Sequence, residues 1–197
     1  MKKIILFLGL SIYYLTGFTQ ETGTFTDTRD GKVYKTVVIL GQTWFAENLA
    51  FKVKGDCWAY NENEVNVATY GYLYSWKEAK EACPKGWHIP SDAEWSILTD
   101  YLGDETAGGK LKESGLTHWK TPNQGATNET GFNALPGGYR LPTDKTFLSL
   151  GYVGYWWTAT ELKTGRITYK FINWETSKVF STENSRRLAF SVRCIMD

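Results

Sequence analysis

The chain has 197 residues, 42 % of them hydrophobic and 16 % aromatic, with a formal net charge of +1. That apolar content supports a packed core and excludes a disordered chain. The near-neutral balance, with acids and bases interspersed, leaves no electrostatic footprint for nucleic acid or an anionic membrane.

Nine Trp, 12 Tyr and 10 Phe let a small core bury much area, since each ring covers roughly 150–250 Å². Rings also suit a sugar- or protein-binding face, although core packing is the commoner fate of any one of them.

The chain starts with Lys2 and Lys3, an uncharged apolar run over residues 4–15, then Thr16-Gly17-Phe18-Thr19 before Gln20. This reads as a secretory signal peptide over residues 1–19, too short for a stop-transfer span. Residues 20–197 then read as a single exported domain without a transmembrane segment, at a periplasmic, cell-surface or extracellular site. Export places the three cysteines in an oxidising compartment.

After the leader comes β structure. Residues 24–28 pair with residues 32–39 across Arg29-Asp30-Gly31, where Asp-Gly is a strong turn signal. Gly41-Gln42 makes a second tight turn into Thr43-Trp44-Phe45-Ala46. Residues 48–69 are less regular. Their run Asn61-Glu62-Asn63-Glu64 offers oxygen ligands, which leaves a structural calcium ion open. The run lacks the Gly and Glu offsets of an EF-hand loop and reads more simply as solvated. No other cofactor is expected.

Two helices follow. Ser75 caps the first and Glu78 completes a capping box. Trp76, Ala79 and Cys83 form its inner stripe, and Pro84 stops it. The second repeats this grammar, with Ser91 and Glu94 as capping box, Trp95, Leu98 and Leu102 as buried stripe, and Gly103 as stop. The loop Trp87-His88-Ile89-Pro90 between them reads as a structural joint, with His88 hydrogen-bonded within it.

Residues 103–144 are loop-rich, broken by Gly108-Gly109, Pro122-Asn123 and Pro136-Gly137-Gly138. Such a long connection is often functional, so a ligand is expected here. Arg140, between Tyr139 and Leu141, reads as a buried organiser that donates to backbone carbonyls. The last third reads as antiparallel strands over residues 154–160, 166–171, 178–181 and 188–194. In the last of these Leu188, Phe190, Val192 and Cys194 share the core face.

Cys83 and Cys194 therefore both face inward and are the favoured disulfide, closing a loop worth roughly 4–5 kcal/mol of chain entropy. Cys57 with Cys83 is the competing pairing and stays open. In the favoured pairing Cys57 is left free or joined to another chain.

Five blocks in order carry a resemblance. They are Tyr70-Gly71-Tyr72-Leu73-Tyr74-Ser75-Trp76, Cys83-Pro84-Lys85-Gly86-Trp87-His88-Ile89-Pro90-Ser91-Asp92-Ala93-Glu94-Trp95, Gly131-Phe132-Asn133-Ala134-Leu135-Pro136-Gly137-Gly138-Tyr139-Arg140, Gly154-Tyr155-Trp156-Trp157-Thr158-Ala159-Thr160-Glu161 and Phe190-Ser191-Val192-Arg193-Cys194. Together they resemble the Fibrobacter succinogenes major paralogous domain family, found mainly in exported bacterial proteins. Many members carry a second cysteine shortly before the Tyr-Gly motif. Here that place is near Val67, so Cys57 lacks that partner. A wider resemblance is to the C-type lectin-like fold shared by formylglycine-generating enzymes. It implies an α+β class, with two short helices packed on antiparallel sheets and a long loop region. It also implies a bridge from the first helix to the final strand, in support of Cys83 with Cys194.

The functional expectation is an exported, non-catalytic binding or adhesion module for a glycan or a surface protein. Its candidate residues are Asn133, Arg140, Trp157 and Glu161, with the alternative that Trp157 is core and Arg140 with Glu161 a buried ion pair. Thr121-Pro122-Asn123 lacks the carboxylate of the lectin calcium motif, so calcium-dependent sugar binding is not implied. An oxidase of the formylglycine-generating type would need two active-site cysteines near the C-terminus, where only Cys194 stands. The related iron-dependent synthases would need three histidines, and only His88 and His118 are present. No Gly-x-Ser-x-Gly elbow holds a serine nucleophile. A structural cell-surface component is the third reading.

Overall fold

The computed structural model describes residues 21–184 and 186–197, and the signal peptide read over residues 1–19 lies outside them. Strands and helices are numbered along the chain. One sheet has the order β1 (Thr22–Thr26), β2 (Val33–Ile39), β3 (Gln42–Phe45), β13 (Ile195–Met196), β6 (Trp87–His88). A second holds β4 (Cys57–Trp58), β5 (Leu73–Ser75), β12 (Ala189–Phe190), β7 (Tyr139–Arg140) and β8 (Phe147–Leu148). The third is β11 (Phe180–Asn184), β10 (Ile167–Asn173) and β9 (Val153–Glu161). The ladders in all three are antiparallel.

The expected α+β C-type lectin-like class is thus corrected. The chain is mostly β and sandwich-like, with 17 % helix in a few short pieces. The first expected helix is the main reason. It closes as α2 (Trp76–Ala79) after four residues. Ser75 Oγ does accept from the Glu78 amide at 3.4 Å, but the reciprocal half of the capping box does not form. The Glu78 carboxylate instead lies over Gly55, where any Cβ would collide with it. Turns with i→i−3 bonds, from Glu81 to Glu78 and from Ala82 to Ala79, carry the chain on to Cys83, and Pro84 has no amide to extend them. The other helices are α1 (Val67–Tyr70), α3 (Asp92–Leu102) and α4 (Ala107–Leu111).

Several local readings hold. The first hairpin pairs Thr26 with Val33, and its turn is closed by the Gly31 amide donating to Asp27 O at 2.7 Å. Helix α3 carries the full Ser91–Glu94 capping box, buries Trp95, Leu98 and Leu102, and ends at Gly103 with φ +86°. Cys83 and Cys194 are joined. Cys57 is free and buried, its thiol 3.6 Å from Val53 O.

The final expected strand is divided. Residues 189–190 pair with β5 and β7, while residues 195–196 pair with β3 and β6. Between them Ser191, Val192, Arg193 and Cys194 are all buried, so no face of this segment meets water. Arg193 is the hub. Its guanidinium donates to Phe45 O at 3.1 Å, Phe132 O at 2.8 Å, Asn48 Oδ1 at 2.9 Å and Asn133 O at 3.4 Å. It also lies 4.4 Å over the Phe132 ring. Burial pulls its pKa down to about 9, which still leaves it cationic at neutral pH. Arg140, expected as a buried organiser that donates to backbone carbonyls, is buried and donates to one, Leu141 O at 3.4 Å, whereas Arg193 gathers several.

The buried rings fall into three clusters, two large and a small one around Tyr60. One stacks Tyr34 on Phe45, with Trp87 tilted against Phe45. The other large one sets Trp44, Trp95 and Phe132 edge to face at 5.2–5.7 Å, a geometry worth about 0.5–1.5 kcal/mol per pair beyond burial. The joint between α2 and α3 is clamped by His88, whose ring nitrogens meet Asp197 at 2.7 Å and Glu94 at 2.9 Å.

Replacing Arg193 by Met is expected to cost roughly 3–5 kcal/mol, because several buried acceptors lose their donor at once. Arg193→Lys is expected to recover little, since an ammonium cannot span acceptors set around a planar fork. Urea unfolding midpoints measure both, and a lysine variant as stable as the parent would refute the hub role. The His88 clamp fixes a second expectation. Burial alone would depress the imidazole, but the carboxylates of Asp197 and Glu94 outweigh it and raise the pKa above its ordinary 6.5. The imidazolium contribution is then complete below the unfolded value and is lost as pH rises through the folded one. Stability should fall as pH rises from the ordinary imidazole value through the raised folded one, and His88→Gln should flatten that slope. An identical slope in the variant would count against the clamp.

Candidate functional site

The four sequence candidates do not meet. Asn133 sits in a positive-φ turn (φ +54°), its amide bonded to Asn128 Oδ1 at 2.9 Å. It lines a polar cleft of about 230 Å³ with Lys32, Glu47, Asn48 and His118. Trp157 is fully buried and donates from its indole to Tyr74 O at 2.8 Å. Glu161 ends β9 at the surface and pairs with Arg186, not with Arg140. Of the four, Arg140 combines burial with a cavity lining and an unpartnered buried donor, its Nε.

The loop region expected to meet a ligand is largely tied down. Lys112 is buried, with its ammonium on Gln124 O, Asn173 O and Thr176 O at 2.9–3.1 Å. Burial lowers its pKa to about 8. Asn123 holds Glu113 O and Gly115 O, and Trp119 and Phe132 are buried beneath. This stretch is a plug over the second core. In the exposed oxygen-rich run at residues 61–64, Glu64 is bonded to Lys52 and to the Tyr72 hydroxyl, both at 2.5 Å, and Asn63 Oδ1 accepts from the Val65 amide. Among the described residues no group of three or more His, Cys, Asp or Glu side chains is placed to hold a metal ion.

The cavities that combine rings with polar groups lie on either side of the second sheet. Strand periodicity explains them. Phe190 pairs with Tyr74, and Tyr139 is on the same inner face, whereas Ala189 pairs with Ser75 and Arg140 on the outer face. Neighbouring residues Tyr139 and Arg140 therefore point into different cavities.

On the inner side, Tyr139, Tyr155, Tyr169 and Phe190 line a pocket of about 190 Å³, with Leu141, Leu188 and Asn184 at its edge. Phe190 is the hub of these rings, stacked on Tyr155 at 5.2 Å and 4.7 Å from Tyr169. Trp157 supports it from the core at 4.5 Å. Tyr139 meets Tyr155 edge-on at 5.2 Å. Burial pushes the Tyr155 hydroxyl up to about 12 and raises that of Tyr169, so both remain phenols able to donate at neutral pH.

On the outer side is a groove of about 430 Å³. Its cations are Lys77, Arg140, Lys145, Arg186 and Arg187, around Trp58 and Ser75, with Asp56 the one acid in its lining. Arg140 lies 4.0 Å over the Trp58 ring and 5.7 Å from the Phe147 ring centre. The linings adjoin along the chain, with Leu141 and Leu188 in the pocket and Pro142 and Arg187 in the groove. Gly138 makes room for this arrangement. With φ +65°, any Cβ there would run into Leu148 O.

Sequence reasoning missed the tyrosine pocket and most of the groove. The alternation of Tyr169 with Phe171 and the Arg186-Arg187 pair were the available signals. The first is indistinguishable from core patterning, and the second vanishes in a net charge of +1.

A family model described as Fibrobacter succinogenes major domain matches residues 37–196. Nothing among curated proteins or solved structures matches the chain. The match spans the described sheets from within β2 to the end of β13, including the disulfide, the Arg193 hub and both cavities, and the chain therefore belongs to the Fibrobacter succinogenes major domain family.

Proposed function

We propose that the chain is an exported, non-catalytic glycan-binding module, and that the pocket of Tyr139, Tyr155, Tyr169 and Phe190 receives one sugar ring. The observation that carries this reading is three tyrosines around a Phe floor, each ring partly open to solvent. Sugars have apolar C–H faces and hydroxyl edges, and a pocket of tyrosines offers ring faces and phenolic donors together. Its volume is below the roughly 300–1,000 Å³ of sites that enclose a whole small ligand. That size favours one ring of a longer chain over a free metabolite. Export is supported by the leader pattern and by a disulfide in the fold.

The oxidase alternative finds no support in the cysteines. Cys194 is in the disulfide, and Cys57 is buried with its thiol pKa pushed up by that burial, the opposite of an activated thiolate.

The test is a glycan array read beside a protein-ligand array, with two substitutions. Tyr155→Ala should lower glycan binding about tenfold, in line with the ~1 kcal/mol of a ring contact, with a smaller loss of stability. Trp157→Ala should instead cost roughly 3–5 kcal/mol of folding stability, as expected for a deleted core ring. Hits confined to the protein array, or glycan binding indifferent to Tyr155→Ala, would sink the reading.

A further inference from the structure

Arg140 is 5 % exposed, yet among the described residues it makes no ion pair. Its Nε has no hydrogen-bond partner. Its one side-chain hydrogen bond is a long one, 3.4 Å to Leu141 O. Burying a cation without acceptors is costly, and the same molecule shows two solved cases. Arg193 also leaves its Nε unpartnered, but both its terminal nitrogens close on acceptors, three carbonyls and Asn48, and Lys112 closes on three carbonyls. Arg140 has only Trp58 beneath it and an open groove beside it. Stacking on an indole satisfies the face of a guanidinium but not its N–H edge, which suits an in-plane carboxylate or sulfate.

The charges around it agree. Arg186 is engaged by Glu161, and Lys77 lies 3.5 Å from Glu78. Lys145 and Arg187 are exposed and make no ion pair among the described residues. The nearby acid Asp144 spends its carboxylate first on the Thr146 amide, with the Arg140 charge a lesser influence.

We propose that this groove binds the acid groups of an anionic polysaccharide, with Arg140 as the anchoring cation, while a ring of the same polymer occupies the tyrosine pocket. The proposal rests on the glycan reading of that pocket and adds the charge class of the ligand. Adjacent residues at 141–142 and 187–188 line the two cavities, so a polymer crossing that edge would meet both. An acidic peptide would satisfy the groove but offers no ring of this kind to the pocket.

The test measures binding of the full chain to homogalacturonan in de-esterified and fully methyl-esterified forms, which have the same rings but differ in charge. Chondroitin sulfate serves as the sulfate arm and poly-glutamate as the peptide arm. The de-esterified form should bind on the order of tenfold tighter at low salt, with the ratio shrinking as salt is raised. Arg140→Gln should reduce its affinity to that of the methyl ester. The exposed pair Lys77→Glu with Arg187→Glu should do the same in a protein whose fold is unaffected. Still tighter binding of chondroitin sulfate, which adds sulfates to its carboxylates, would support the anionic class. Equal affinity for both ester forms, unmoved by the double substitution, overturns the anionic class and leaves the glycan reading standing. Poly-glutamate binding as tight as the acidic polymer, and indifferent to Tyr155→Ala, overturns it in favour of acidic protein. Absence of binding to every polymer overturns both readings.

Discussion

A fully buried guanidinium sets the terms for this fold. Arg193 has no carboxylate hydrogen-bonded to it, so its charge is tolerable only inside a cage of oriented acceptors. Those acceptors come from the end of β3, from Asn48 and from the turn at residues 132–133. Each must hold its carbonyl toward one point. Asn48 extends the cage, since its Oδ1 also accepts from the Trp156 indole at 2.9 Å and its amide donates to Tyr70 O at 2.9 Å. The adjacent Cys194 is tied to Cys83. One short segment near the C-terminus thus fixes the first sheet, the plug and the end of α2 relative to one another.

Lys112 repeats the solution at smaller scale. Its three carbonyl contacts span residues 124 to 176, so an ammonium gathers the loop's carbonyls as a bound cation would. A stretch poor in regular structure is held by a point charge because few ladder bonds are available to hold it. Loop composition alone suggests an adaptable binding surface. The buried lysine turns it into scaffold.

With the hub and plug fixed, the second sheet is free to present two chemistries. Period-two alternation sends Tyr139 and Phe190 inward and Arg140 outward. The inner rings meet those of β9 and β10 without closing completely. The outer guanidinium is stacked but unsatisfied. A core would have filled the first gap, and a stability network would have closed the second. Both departures from good packing sit on one short sheet, which is where a ligand would repay them.

Much of the local structure was legible in the residues. Asp-Gly set the first turn, Ser91 with Glu94 set the start of α3, Gly103 set its end, and inward-facing Cys83 and Cys194 gave the disulfide. These signals act over a few residues, or through a covalent bond that few partners can make. Fold class was not legible in the same way. A second capping signal at Ser75 and Glu78 looks equivalent, but the Glu78 carboxylate lies against Gly55 and not on the cap, and the helix spans only Trp76–Ala79. Sites were the least legible. Arg140 and Arg193 are alike as letters, each flanked by apolar residues, and only the folded chain decides which finds its acceptors. That decision depends on carbonyls from distant segments converging on one point. The sequence therefore determined the turns, the caps and the bridge, whereas tertiary structure alone decided which buried cation would be satisfied and which would face a groove.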